Sequence, residues 1–310
     1  MKALIARSYG PLEDLEFADL PTPTPGPGQL LVRLQATSLN AVDKVLVTGA
    51  MRDALPVRHP FVPGVDVSGI VEAVGEGVTR FRAGDAVIAW NSVTAGALAE
   101  YLAIADAPSA ALRPVGLDAT RGAALPTGSL TAAALLDALR VAAGDTVLVV
   151  GAAGGVGSFT VQLAKQAGLT VLATGRADDE SFLRRLGADH VLDYRQADVA
   201  AEAHRLTGGG VDAVIDLANA GPALATTAAA AKPGGQLVSP LGGPPAFDRG
   251  VTAVYTGTRT PAGRLEELAA QAADGRLAVE IHADYPFAAA DRAVLDFASQ
   301  HVRGKVTVTF

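Results

Sequence analysis

Residues 146–162 read TVLVVGAAGGVGSFTVQ, and this stretch decides the fold. Thr146, Val147, Leu148, Val149 and Val150 are mostly β-branched and apolar, as in a strand buried on both faces. Gly151, Gly154, Gly155 and Gly157 follow, and Phe159, Val161, Leu163 and Ala164 then return at helical spacing. A strand, a glycine-rich turn and a helix start form a cradle for a diphosphate. Glycine lets backbone N–H groups approach phosphate oxygens, and the helix N-terminus adds about half a positive charge. A lone glycine cluster would also suit an ordinary strand-to-helix turn. Its place between a buried-strand pattern and a helix pattern points to a dinucleotide. The main-chain amides around Gly154, Gly155, Val156 and Gly157 are the expected phosphate ligands.

Working outward, strand and helix patterns alternate after the cradle. The sequence predicts strands at 169–174, 190–192, 211–217 and 236–239. A helix at 180–186 ends at Gly187, and Gly208-Gly209-Gly210 and Pro233-Gly234-Gly235 mark turns. Such alternation means a doubly wound parallel sheet. Upstream the texture differs. A strand is expected at 2–7, a proline-rich loop at 21–28 and a strand at 29–36, with Asn40-Ala41-Val42-Asp43 in the loop at its end. Short strands with Gly and Pro punctuation fill 63–104, a small irregular β domain. A helix spans 125–139 after Pro126 and Thr127. The tail holds a helix from Pro261 to Ala273, a turn at Asp274-Gly275, a strand, a helix at 289–301 and a last strand at 305–310. It is expected to return to the first domain and leave a cleft between the two. The fold class is therefore α/β, with a β domain at 1–122 and 258–310 and a dinucleotide-binding domain at 123–257.

Composition narrows the function. A chain of 310 residues with 49% apolar content has enough material for two cored domains. The net charge of −7 and the absence of Lys/Arg runs argue against nucleic acid or a polybasic membrane patch. With no cysteine, disulfides, thiolate nucleophiles and cysteine-ligated zinc are all removed. The opening MKALIARSYG has an apolar patch too short for a leader, and no apolar run reaches the roughly 18 residues of a membrane span. A soluble, cytoplasmic protein is the expectation.

Several motifs together carry a family resemblance. They are NAVD from Asn40, PGVDVSGIVEAVGEGVTRFRAGDAV, GALAEY, LPTGSLTAA, AAGGVGSFTVQLAK, GADHVLDYR and the closing GKVTV. In order and spacing the chain resembles the zinc-lacking quinone oxidoreductase branch of the medium-chain dehydrogenase/reductase superfamily, over essentially its whole length. The resemblance implies a GroES-like β domain joined to a Rossmann domain. Zinc-dependent members carry Cys where this chain has Asn40 and His where it has Val65, and they hold a second zinc on four cysteines. None of those ligands is present, so Lewis-acid chemistry is not available through these positions. His59, His190, His204, His282 and His301 show no ligand spacing; His59 is nearest the cleft loops.

NAD-preferring sites place Asp or Glu about 20 residues past the glycine loop to bind the ribose 2′-hydroxyl. Gly175 stands there instead, followed by Arg176, whose guanidinium can hold a 2′-phosphate bidentately. NADP(H) is the expected cofactor, although a register slip would bring Asp178 or Asp179 into reach, and Arg176 could be a solvated loop charge. The resemblance implies that Tyr194 lies by the 2′-phosphate and that Asn219 contacts the cofactor. It also implies that Thr127 hydrogen-bonds near the nicotinamide. Leu241 and Gly242, after the fifth strand, should approach the nicotinamide end. Tyr194 could instead be a packing residue and Thr127 a helix cap.

The expected reaction is hydride transfer from NADPH to a quinone-type acceptor without a metal. An acceptor slot is expected from loops at 40–51, 90–94 and 242–247. Related reductases often have a Tyr after the N-x-x-D segment as a proton donor, and this chain has Lys44 and then none through Met51. Asn40, Lys44 or water could take that role; equally, Asn40 and Asp43 could hold their own loop and Lys44 could be a solvated lysine. Enoyl or alkenal reduction and non-catalytic NADPH binding are the alternatives. The resemblance also implies a homodimer through the sheet edge near Val251–Tyr255.

Overall fold

The computed structural model describes residues 1–91 and 96–310. The chain divides into one unit made of Met1–Thr127 with Thr260–Phe310 and a second made of Gly128–Arg259.

The first unit opens with β1 (Lys2–Ile5) and β2 (Glu16–Asp19), an antiparallel pair. Then come β3 (Gln29–Ser38), α1 (Ala41–Thr48), β4 (Asp66–Val74), β5 (Ala86–Trp90), β6 (Tyr101–Ala105), β7 (Ala110–Leu112) and α2 (Ala119–Ala124). Helix α3 (Pro126–Asp137) leads into the second unit. That unit holds β8 (Thr146–Val150), α4 (Gly155–Gln166), β9 (Thr170–Gly175), α5 (Glu180–Arg185), β10 (His190–Asp193) and α6 (Val199–Thr207). After these come β11 (Val211–Asp216), α7 (Leu224–Ala228), β12 (Ala231–Ser239) and β13 (Thr252–Tyr255). The chain then returns to the first unit with α8 (Arg264–Ala273), β14 (Ile281–Pro286), α9 (Ala290–Ser299) and β15 (Lys305–Thr309).

In the second unit six strands run in the order β10-β9-β8-β11-β12-β13, all parallel. The direction of winding reverses between β8 and β11, the place where open α/β sheets bind ligands at strand carboxyl ends. Val147, Leu148 and Val149 are fully buried, as the unbroken apolar run requires. Strand β12 is longer than the sequence suggests. It passes through Pro233-Gly234-Gly235 as a bulge: Val211 faces Ala231, yet Ala213 faces Gln236.

The first unit's main sheet runs β14-β15-β3-β4-β5-β7, with β6 also paired to β3. Strand β15 lies antiparallel beside β3, so the tail supplies an inner strand of a sheet begun near residue 29. Val306 and Val308 are buried with Leu4, Leu39, Leu46 and Phe61, and each such side chain contributes about 1.5–3 kcal/mol. Residues 41–48, expected as loop, are helix α1. Asp43 Oδ2 accepts the Asn40 main-chain N–H at 2.8 Å, and Gly49 ends the helix at φ 68°.

Candidate functional site

In the second unit the expected cofactor residues gather at the carboxyl ends of the sheet strands. The residues 151–154 turn follows β8, and Gly154 caps α4. The Gly151 N–H donates to Thr174 Oγ1 on β9 at 3.1 Å, and Ser158 N–H makes the first helical bond to the Gly154 carbonyl at 2.9 Å. A Cβ on Gly157 would lie 2.3 Å from the Gly151 oxygen, so only glycine lets the helix start rest on the turn. Amides in a helix's first turn have no carbonyl partner within the helix, and those of Gly155, Val156 and Gly157 are such donors, whereas the Gly154 N–H, also expected as a ligand, donates to the Gly151 carbonyl at 3.2 Å. Phe159, Val161 and Ala164, fully buried, hold this helix in place. The residues present therefore fit a diphosphate.

Gly175 ends β9. Arg176 follows it, and its Nε donates to the Tyr194 hydroxyl just past β10 at 3.2 Å. Asp179, one of the two acids that a slip could have brought to the ribose, is fully buried, with Oδ2 accepting the Arg176 main-chain N–H at 2.8 Å. At the end of β11, buried Asp216 accepts from the main-chain N–H groups of Ala218 and Asn219, from Asn219 Nδ2 at 3.0 Å and from Thr227 Oγ1 at 2.5 Å. Past β12, Leu241 N–H donates to Ser239 Oγ, and Gly221 N–H donates to the Gly242 carbonyl at 2.9 Å. These bonds tie the two loops together.

In the first unit one carboxylate is the hub. Asp66, at 0% exposure, accepts from Ser38 Oγ at 2.6 Å, Asn40 Nδ2 at 2.9 Å, and Thr127 N and Oγ1 at 2.9 and 2.6 Å. Lys305 Nζ lies 3.3 Å from the same carboxylate and donates to Asn40 Oδ1 at 2.5 Å and the Leu39 carbonyl at 3.3 Å. Asn40 Nδ2 also donates to the Ser38 carbonyl at 3.2 Å, so its whole amide is engaged. Thus Asp66 brings Asn40 and Thr127 together. Lys44 stands apart, exposed on α1. Of the expected 90–94 loop, Ser92, Val93 and Thr94 lie outside the described residues.

Known proteins share this architecture. The alcohol dehydrogenase GroES-like domain model matches residues 26–116, and the zinc-binding dehydrogenase model matches residues 186–308. A chloroplast envelope quinone oxidoreductase homolog of Arabidopsis thaliana is 42% identical over 72% of this chain and 69% of that protein. The chain belongs to the medium-chain dehydrogenase/reductase superfamily, in its quinone oxidoreductase-like branch. It is an oxidoreductase of the NAD(P)H-dependent kind. The quinone oxidoreductase of Coxiella burnetii has a TM-score of 0.89 to it at 29% identity, covering 100% of this chain and 99% of that one. A mycobacterial protein solved in complex with NADPH has a TM-score of 0.88 at 31% identity, with both chains covered in full.

The matched family is named for zinc, but this oxidoreductase's residues do not fit the metal. Where zinc-dependent members place a cysteine stands Asn40, its amide already engaged, and the Lys305 ammonium lies against both Asn40 and Asp66. Among the described residues no three His, Cys, Asp or Glu side chains form a metal cluster. His59 packs edge-on against Tyr9, ring centroids 4.7 Å apart.

Among the described residues Asp43 is the carboxyl whose pKa is raised. Burial pushes its carboxyl up to about 7, aided by the charge of Asp66 and opposed by hydrogen bonds from the Asn40 and Gly64 amides and by Lys305. Sequence reasoning gave Asp66, Lys305, Asp179 and Asp216 no positive role. The usable signal was a single charge inside an apolar strand, as in Val65-Asp66-Val67 and Lys305-Val306, since such a charge needs a buried partner.

Proposed function

We propose that this oxidoreductase transfers hydride from NADPH to a quinone-type acceptor without a metal. The observation that carries the cofactor choice is the Arg176–Tyr194 pair at the ends of β9 and β10, with no acid at Gly175 and Asp179 turned inward. A guanidinium there favours a 2′-phosphate, and the strand-end position itself carries glycine rather than an acid, although exposed Asp178 follows two residues after Arg176. The cofactor, when bound, supplies the hydride; the chain's part is binding and orientation. The first-turn amides of α4 hold the diphosphate, and the loops bearing Asn219, Leu241 and Gly242 lie toward the nicotinamide end.

Hydride addition to a quinone gives a hydroquinone anion, and one proton from water completes the product. Such an acceptor needs alignment more than a strong acid. Asn40, with its amide engaged by Ser38, Asp66 and Lys305, is not free to donate. Exposed Lys44 or water is left to deliver the proton. Reduction of an enone would need a proton placed at the α-carbon, and residues 44–51 hold no tyrosine for it.

The test is steady-state turnover of purified protein with NADPH and with NADH, against 1,4-benzoquinone, a naphthoquinone and an alkenal. Quinone turnover with NADPH preferred is expected. No turnover with any quinone or enone overturns the reading, and faster alkenal turnover makes it an enone reductase.

A further inference from the structure

Asp179 is wholly buried although its neighbours Ala177, Asp178 and Glu180 are exposed. Its carboxylate lies under the end of β9, accepting the main-chain N–H of Arg176, while Asp179 N–H donates back to the Arg176 carbonyl at 2.9 Å. Arg176 is thus gripped at both main-chain groups by one residue. The grip depends on Gly175: a Cβ there would lie 3.1 Å from Asp179 Cβ and 2.7 Å from Leu183 Cδ1. The Gly175 carbonyl in turn accepts the Tyr194 N–H at 3.3 Å, and the Tyr194 hydroxyl accepts from Arg176 Nε. Backbone and side chain of Arg176 are therefore fixed from two directions. The guanidinium meets Tyr194 through Nε, which leaves the edge between its two terminal nitrogens outside that bond. That edge matches a phosphate monoester.

From this we infer that Asp179 is a positioning residue for cofactor choice. It sets the main chain that aims Arg176 at the 2′-phosphate, and it keeps its own carboxyl below the surface, away from that phosphate. In NAD-preferring sites an acid at a strand end reads the ribose hydroxyls. Here an acid four residues after Gly175 acts inward instead, and the outcome is selection of the phosphorylated ribose. The inference rests on the NADPH reading above.

The test is fluorescence titration of NADPH and NADH, with full kinetics, on wild type, Asp179→Ala, Asp179→Asn and Gly175→Ala. Asp179→Ala is expected to raise the NADPH Kd and KM about tenfold, with kcat at saturating NADPH and the NADH Kd little changed. Asp179→Asn keeps an oxygen acceptor for the Arg176 amide and is expected to keep the preference. Gly175→Ala displaces the carboxylate and is expected to repeat the loss, and it decides the matter should Asp179→Ala fail to fold. Equal weakening of both cofactors, or an unchanged preference in Asp179→Ala, overturns the inference while the NADPH reading stands. A wild-type protein that binds NADH as tightly as NADPH removes the cofactor reading and this inference with it.

Discussion

Lys305 and Asp66 meet at 3.3 Å inside the first unit, with side chains 3% and 0% exposed. They lie 239 positions apart in sequence. Attraction inside a protein offsets the loss of water only when every remaining hydrogen-bonding site is filled. Ser38, Asn40 and Thr127 fill those sites here. Lys305→Met would leave Asp66 charged and unpaired, and it is expected to cost about 3–5 kcal/mol in urea denaturation. The double variant Lys305→Met/Asp66→Asn is expected to recover part of that loss. A single variant as stable as wild type would mean that the pair does not hold this centre together.

Asp43 gives a pH prediction. Its folded pKa of about 7 lies above the ordinary 3.8, so the folded state holds the proton more tightly than the unfolded state does. The stability this provides is full below about pH 4, declines as pH rises, and is lost once pH passes about 7. Denaturation midpoints between pH 4 and 8 are expected to fall more steeply for wild type than for Asp43→Asn. Asparagine loses one acceptor at every pH, so the slope is the readout rather than the absolute value. Parallel slopes would count against a raised Asp43.

Gly157→Ala tests the cradle. By helix propensity alone alanine would stabilise α4 by about 1 kcal/mol. Against that, its Cβ would sit 2.3 Å from the Gly151 carbonyl and 2.6 Å from that of Ala152, both backbone atoms that cannot swing away. The clash is expected to win. The melting temperature should fall, and NADPH should no longer raise it. A variant that NADPH still stabilises fully would place the diphosphate elsewhere.

Strand β13 is bonded to β12 on one side and stands at the end of the sheet order. On its outer side residues 245–247 already bond Val251 and Ala253, and the edge left open beyond them can pair with a second copy about a two-fold axis. We propose a homodimer through Val251–Tyr255. Light scattering during size exclusion is expected to give twice the 31.3 kDa chain mass, and Val254→Pro to give monomer. Monomer throughout for wild type would retire the proposal.

What could be read from the sequence was mostly local. The strand–glycine–helix stretch at Thr146 states its own geometry, and each cofactor-side residue follows a strand whose pattern was visible. Helix α1 was hidden because Val45, Leu46 and Val47 run together and mask the helical period, so only the Asn40–Asp43 cap marks its start. The bulge in β12 was hidden because Pro-Gly-Gly reads as a chain reversal, yet it bows out from a continuing strand. The Lys305–Asp66 centre could not be inferred, because it exists only once β15 is seated beside β3, a long-range pairing that no local pattern encodes. Asp179 was visible as an acid near the ribose, but which way it faced depended on Gly175 giving it room.

The placement of β15 has a consequence for biosynthesis. Strand β3 leaves the ribosome well over two hundred residues before its neighbour β15 does. The contiguous second unit can finish folding while that early sheet still lacks a partner at Ala36–Ser38 of β3 and a counter-ion for Asp66. The nascent chain therefore carries an open strand edge and an uncompensated acid through most of its translation. Both are capped together, when Lys305 arrives on the strand that closes the gap.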